Sequence, residues 1–202
     1  MIYWFIGQPG CGKTTLAKRL KKYFELQNRP AIHLDGDDLR KIYGNAYGKE
    51  CFTKEYRLEW TRILQRFTAH LADQGVTVIV STVNPYKEVR EEFKQSRKDV
   101  KEIYVFCEGR VRQEYWVQDY EPPTMIDAQC KWINTTGKTE EESFDLLCDA
   151  LKRKVFVITT EMSGLPKETK IFDSKTDVKK WYKEVFAKRG GYYAEEKKDI
   201  IE

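Results

Sequence analysis

Histidine is almost missing from this chain of 202 residues, which holds two. Cysteine occurs five times, at Cys11, Cys51, Cys107, Cys130 and Cys148, with no C-x-x-C pair among them. So few imidazoles and such scattered thiols argue against a zinc site and predict a reducing, cytoplasmic compartment. No apolar run approaches the length of a membrane-spanning helix, so no membrane partner is expected. The opening "MIYWFIGQPG" has no basic segment before its apolar residues and runs straight into glycine. It reads as a core strand, not a signal peptide. No internal repeat is visible.

What is present is a balanced globular composition, 41% hydrophobic and 34% charged, at a length that suits one domain with an appendage. The net charge of +4 is uneven: residues 152–202 hold 13 of the basic and 9 of the acidic residues, and the remainder is neutral. Such an excess fits a solvated lysine-rich tail better than a polyanion contact.

Strand and helix patterns alternate along most of the chain. "IYWFI" (2–6), "AIHL" (31–34), "VTVIVST" (76–82), "VKEIYVFC" (100–107) and "CKWINTT" (130–136) read as strands. Helical periodicity marks the stretch after residue 12 and, most clearly, residues 54–74. There Trp60, Ile63, Leu64, Phe67 and Leu71 fall at helical spacing and Gly75 ends the run. Thr139 with Glu142 three residues on is a capping box. The alternation predicts an α/β fold, a parallel sheet flanked by helices, with ligands at the carboxyl ends of the strands. From residue 154 the pattern changes. "KVFVITT", "ETKIF" and "DVKKWYKEVFAKR" predict a small basic ββα appendage over 154–202, beside a main domain of 1–153. The final "AEEKKDIIE" reads as frayed.

"GQPGCGKTT" (7–15) matches G-x-x-x-x-G-K-[ST] in full, after a strand and before a helix. The glycines Gly7, Gly10 and Gly12 let main-chain N–H groups, those of Cys11 and Thr15 among them, turn toward a phosphate. The helix N-terminus faces the same group. Lys13 neutralises β- and γ-oxygens of ATP, and the Thr14 hydroxyl ligates Mg²⁺. Past the second strand, "HLDGDDLR" sets Asp35, Asp37 and Arg40 together. They read either as a helix N-cap with an acidic first turn, or as carboxylates near a metal and an acceptor hydroxyl, with Arg40 on an acceptor phosphate.

With "DGDDLR" come "CFTKEYRLEWTR", "STVNPYKEVR", "YEPP" and "INTTGKTEEES", in that order. In this ordered set the chain resembles the adenylylsulfate (APS) kinase family over roughly residues 2–151. The resemblance implies a P-loop kinase fold and ATP-dependent phosphorylation of the ribose 3′-hydroxyl of adenylylsulfate, part of sulfate activation. It implies that Lys13 and Thr14 serve ATP and Mg²⁺, and that Asp35 and Asp37 serve the metal or orient the acceptor. Arg40 and Arg57 become phosphate clamps for the acceptor, Phe52 a ring that stacks on its base, and the backbone near Val83 and Pro85 the acceptor wall. The chain departs from the family in four places. Trp60 stands where the family has Asn. Asn84 replaces a serine, which excludes a phosphoserine intermediate and leaves direct in-line transfer. The lid before "YEPP" is shortened, so that Arg110 and Arg112 are left to close over ATP and Tyr115 or Trp116 to supply a stacking ring. The appendage has no counterpart.

Because the departures cluster on the acceptor side, three readings stand. The first is a kinase of adenylylsulfate. The second is a relative acting on another nucleotide-linked metabolite or a hydroxymethylated base, with Trp60 as a stacking surface. The third is a non-catalytic P-loop module. The expected partner is a small-molecule nucleotide acceptor, with nucleic acid less favoured and a homodimer compatible with the sequence.

Overall fold

The computed structural model describes residues 1–43, 52–109, 115–124, 129–161, 168–172, 175–181 and 192–201. The chain divides into two compact units, Met1–Ala150 and Leu151–Glu202.

In the first unit, β1 (Ile2–Ile6), β2 (Ala31–Asp35), β3 (Thr77–Ser81), β4 (Val100–Phe106) and β5 (Cys130–Asn134) form a five-stranded sheet in the order β2-β3-β1-β4-β5. Every pairing is parallel. The helices are α1 (Lys13–Leu26), α2 (Gly36–Ile42), α3 (Lys54–Asp73), α4 (Lys87–Ser96) and α5 (Glu140–Leu151). Because β1 is the middle strand, both of its faces are covered and all five of its residues are buried. Ile2, Trp4 and Ile6 share a core with Trp60, Leu64 and Ala72 of α3 and Phe93 of α4. The alternate residue Tyr3 meets Phe24 of α1, with ring centroids 5.4 Å apart. This two-residue alternation is what splits an almost wholly apolar strand between two helical layers.

The apolar stripe of α3 is rotated from the one its sequence suggests. Trp60 and Leu64 are buried as expected, but the face continues through Thr61, Gln65, Thr68 and Ala72, while Phe67 is 46% exposed. Gln65 tolerates burial because its Nε2–H donates to the Val89 carbonyl at 2.7 Å. The capping box forms as read: the Glu142 N–H donates to Thr139 Oγ1 and the Thr139 N–H to Glu142 Oε2, at 3.2 and 2.8 Å.

The second unit holds β6 (Lys152–Glu161), β7 (Glu168–Phe172), α6 (Lys175–Trp181) and β8 (Tyr192–Ile201). Its sheet is antiparallel in the order β7-β6-β8. The ββα appendage expected from the sequence is therefore ββαβ. The charged tail read as frayed lies in β8, which pairs with β6 from Lys152↔Ile201 to Glu161↔Tyr192. An edge strand is held by its main chain and needs no apolar alternation; charge along it also deters pairing with another chain. Because the pairing reaches back to Lys152, the boundary falls just after Ala150 rather than at the expected residue 153.

Candidate active site

The carboxyl ends of β1, β2 and β3 converge on a cavity of about 580 Å³. Its walls are Pro9, Gly10, Gly12, Lys13, Thr14, Thr15, Asp35, Asp37, Arg40, Phe52, Arg57, Ser81, Thr82, Val83 and Tyr115, all from Met1–Ala150. One wall is the phosphate loop. Gly10 and Gly12 have φ of 87° and 95°, in the left-handed region where a side chain is strained. Gly7 stands outside the cavity and shapes its base: a Cβ there would lie 2.0 Å from the Val105 carbonyl oxygen. Cys11 also turns away from the cavity, its thiol donating to the Gln8 carbonyl at 2.8 Å. Lys13 is 8% exposed, and its Nζ donates to the same Gln8 carbonyl at 2.8 Å. Burial pushes the Lys13 pKa down, against opposing pulls from Cys11, Asp37 and Asp35.

Asp35 caps α2 and faces Thr14. Its Oδ1 accepts from the Asp37 N–H at 3.0 Å, and its Oδ2 accepts from Thr14 Oγ1 and Ser81 Oγ, each at 2.8 Å. Burial raises the Asp35 pKa, but the hydrogen bonds from Ser81, Thr14 and the two cap amides outweigh it, so the carboxyl is held below its ordinary value. The cap reading of Asp35 holds, and the same carboxylate also lines the cavity. The Ser81 hydroxyl gives its proton to Asp35 and so accepts from His33, whose Nε2 lies 2.8 Å away. Ser81 and His33 were missed as supports because the sequence shows only that they sit near strand ends.

The opposite wall is cationic. Arg40 is 7% exposed and its Nη2 donates to Asp37 Oδ1 at 2.9 Å. The half-buried Arg57 donates from Nε to the Phe52 carbonyl at 3.0 Å. Both guanidinium carbons stand over the Phe52 ring, at 5.7 and 5.2 Å from its centroid. Burial, then the like charge of Arg40, lowers the Arg57 pKa. Among the described residues no carboxylate pairs with Arg57 within ion-pair distance.

Not every expected residue joins the site. Trp60 is 7% exposed inside the α3–α4 core and does not line the cavity. The helical periodicity, not the family register, foretold its place. Trp60→Asn is expected to destabilise the fold by about 3–5 kcal/mol, the range for emptying a large aromatic site. Urea unfolding of the variant checks this; an unchanged midpoint would return the indole to the acceptor side. Asn84 is 5% exposed and also points elsewhere; its φ of 41° is one that asparagine adopts more readily than most residues. Its carbonyl accepts from Arg90 Nη1 at 3.0 Å, while the buried Arg90 ion-pairs with Glu102 at 3.3 Å. Pro85 is buried, and its carbonyl accepts from the Glu121 N–H at 2.9 Å, so of the expected acceptor wall only Val83 lines the cavity. Arg110 and Arg112 lie outside the described residues. No cluster of three metal-ligating side chains occurs among the described residues, and no helix there is long and apolar enough to cross a membrane.

A parallel sheet that delivers a phosphate loop, an acidic strand end and two arginines to one cavity defines a P-loop phosphotransferase. A model of the adenylylsulphate kinase family matches residues 1–121, and the chain belongs to that family. It is 30% identical over 177 residues to an adenylyl-sulfate kinase of Chloroflexus aurantiacus, covering 78% of this chain and 92% of that protein. It is 33% identical over 107 residues to a cytidine diphosphoramidate kinase of Campylobacter jejuni, covering 53% of this chain and 61% of that protein. The match thus spans about three fifths of the Campylobacter protein. The fold also matches the Mycobacterium tuberculosis APS kinase solved in complex with AMPPNP and APS, with a TM-score of 0.61 at 22% identity, over 74% of this chain and 96% of that one.

Proposed function

We propose that this chain transfers the γ-phosphate of ATP to a hydroxyl of an anionic nucleotide, adenylylsulfate in the first reading, at its ribose 3′-hydroxyl. The observation that carries the proposal is the pair of arginines around Phe52. Arg57 is a half-buried cation with no ion-pair partner among the described residues, which is costly unless an anion arrives to share it. The guanidiniums suit a phosphate or sulfate oxygen, and Phe52, beneath them in the cavity wall, would supply the aromatic ring for a base.

On the donor side Lys13 leaves the Gln8 carbonyl for the phosphates. Thr14 and Asp35 would hold Mg²⁺: both offer hard oxygen atoms, and a hydroxyl that donates to Asp35 keeps its lone pairs for a cation. The ion supplies charge neutralisation at the phosphates. Asp37, 66% exposed and steadied by Arg40, is placed to orient the acceptor hydroxyl.

A second reading, another nucleotide-linked acceptor, is favoured by the similarity to the Campylobacter kinase. ADP release with ATP, Mg²⁺ and either adenylylsulfate or cytidine diphosphoramidate separates the two readings. Arg57→Ala is expected to lower kcat/KM for the true acceptor by about one to two decades, from the loss of about 1.5–3 kcal/mol. The same kinetics with ATP varied should move little. A large rise in the ATP KM with the acceptor unaffected would reverse the assignment of the two walls.

A further inference from the structure

Gln8 occupies a position of the phosphate loop at which the motif specifies no residue, yet its side chain makes two long-range bonds. Its Nε2–H donates to the Val117 carbonyl at 2.7 Å, and the Val117 N–H donates to its Oε1 at 3.2 Å. A primary amide carries a donor and an acceptor side by side, so it pairs with a main-chain unit as a neighbouring strand would. The reverse orientation of the amide would set N–H against N–H and oxygen against oxygen, so the network fixes it.

Val117 is 6% exposed and lies two residues from Tyr115, a wall of the cavity. The far end of the same segment is tied to the β3–α4 connection. There the Glu121 N–H donates to the Pro85 carbonyl at 2.9 Å, Glu121 Oε2 accepts from the Lys87 N–H at 2.7 Å, and the Glu121 carbonyl accepts from Arg90 Nη2 at 2.6 Å. Residues 117–121 are therefore held at one end by Pro85 and the start of α4 and at the other by the loop that carries Lys13. The Gln8 main chain also takes the Lys13 ammonium, so one residue touches both the segment and the catalytic lysine.

We infer that Gln8 is a positioning residue that docks residues 117–121 on the phosphate loop and thereby makes ATP affinity depend on that segment. The inference rests on the cavity being an ATP site, not on the identity of the acceptor.

The test is equilibrium binding of ATP with Mg²⁺ to the full chain, with steady-state kinetics beside it, for the parent and for Gln8→Leu and Gln8→Glu. Leu keeps the bulk and loses both bonds. Glu keeps the acceptor for the Val117 N–H and sets an oxygen against the Val117 carbonyl. Gln8→Leu is expected to raise the Kd for ATP roughly tenfold, and Gln8→Glu at least as much, because its carboxylate repels the Val117 carbonyl and the phosphates. In both, the rise in Kd and in the ATP KM should exceed any fall in kcat at saturating substrates. A merely structural role would lower kcat and the melting temperature through a smaller active fraction, and would leave Kd alone. Parental Kd in Gln8→Leu, or a fall in kcat with Kd unmoved, overturns the inference. Should Gln8→Leu not fold, parental Kd in Gln8→Glu overturns it equally. Failure of the parent itself to bind ATP is a different result, and overturns the proposed function instead.

Discussion

Lys13→Ala is expected to abolish phosphoryl transfer to any acceptor, with a fall of about three decades or more in kcat/KM, at or beyond the range for losing one pre-organised donor. The described cations in the cavity wall are Lys13, Arg40 and Arg57, and both arginines are committed to the Phe52 side. Nothing else in the phosphate loop brings positive charge to the γ-phosphate. Removing a buried ammonium also removes its desolvation cost, so the variant should fold and melt near the parent temperature. Single-turnover transfer from ATP, with thermal unfolding as the control, makes the measurement. A folded Lys13→Ala protein with an unchanged turnover number would falsify the assignment of the loop.

Asp35→Asn should come close to that effect by another route. Asparagine is about as good an N-cap as aspartate, so α2 keeps its start. With its one oxygen on the cap amides, the NH2 faces Thr14 and Ser81, whose hydroxyls must turn from donating to accepting. What disappears is the negative charge that four hydrogen bonds hold in place. Loss of about two to three decades in kcat is expected, the order found when a pre-organised electrostatic group is deleted, with stability nearly kept. Titration of activity against Mg²⁺ gives the sharper readout: the variant should need more of the ion. An unaltered Mg²⁺ dependence would move the metal role to Asp37.

How much of this could be read from the sequence varied with the kind of signal. The phosphate loop was legible because its glycines, lysine and threonine each answer a separate geometric demand. The strands were legible because both-face burial leaves runs of Ile, Val and aromatic residues. Phe52 and Arg57 lay in gapless register with a family motif, and the structure sets both on the cavity wall. Trp60 lay in the same register yet also in the apolar stripe of α3, and packing decided its place. Asn84 and Pro85 were misplaced because a residue beside a wall is not yet in it; a positive φ and a buried carbonyl turn both away. Gln8 gave no signal, since the partner of its amide is the main chain of a residue 109 positions on. The last strand was hidden for a related reason: an edge strand held by main-chain pairing leaves its side chains free of any pattern.

The central place of β1 has a consequence during biosynthesis. Its two neighbours, β3 and β4, come much later in the chain, ending at Ser81 and Phe106. Gly7 is packed against the carbonyl of Val105, so the loop that begins there has no floor until that residue has left the ribosome. About a hundred residues separate Ile6 from Phe106, a wait of about 5–20 s at the usual elongation rates of roughly 5–20 residues per second. Until β3 is made "IYWFI" is an apolar segment with strong β propensity and no strand partner, and one of its edges stays open until β4 follows, the kind of stretch on which nascent chains aggregate. Nucleotide cannot rescue it, because the site that would bind nucleotide is the last thing the strand helps to build. Holding factors that cover short apolar segments are the protection such a chain needs, and the need ends when β4 docks.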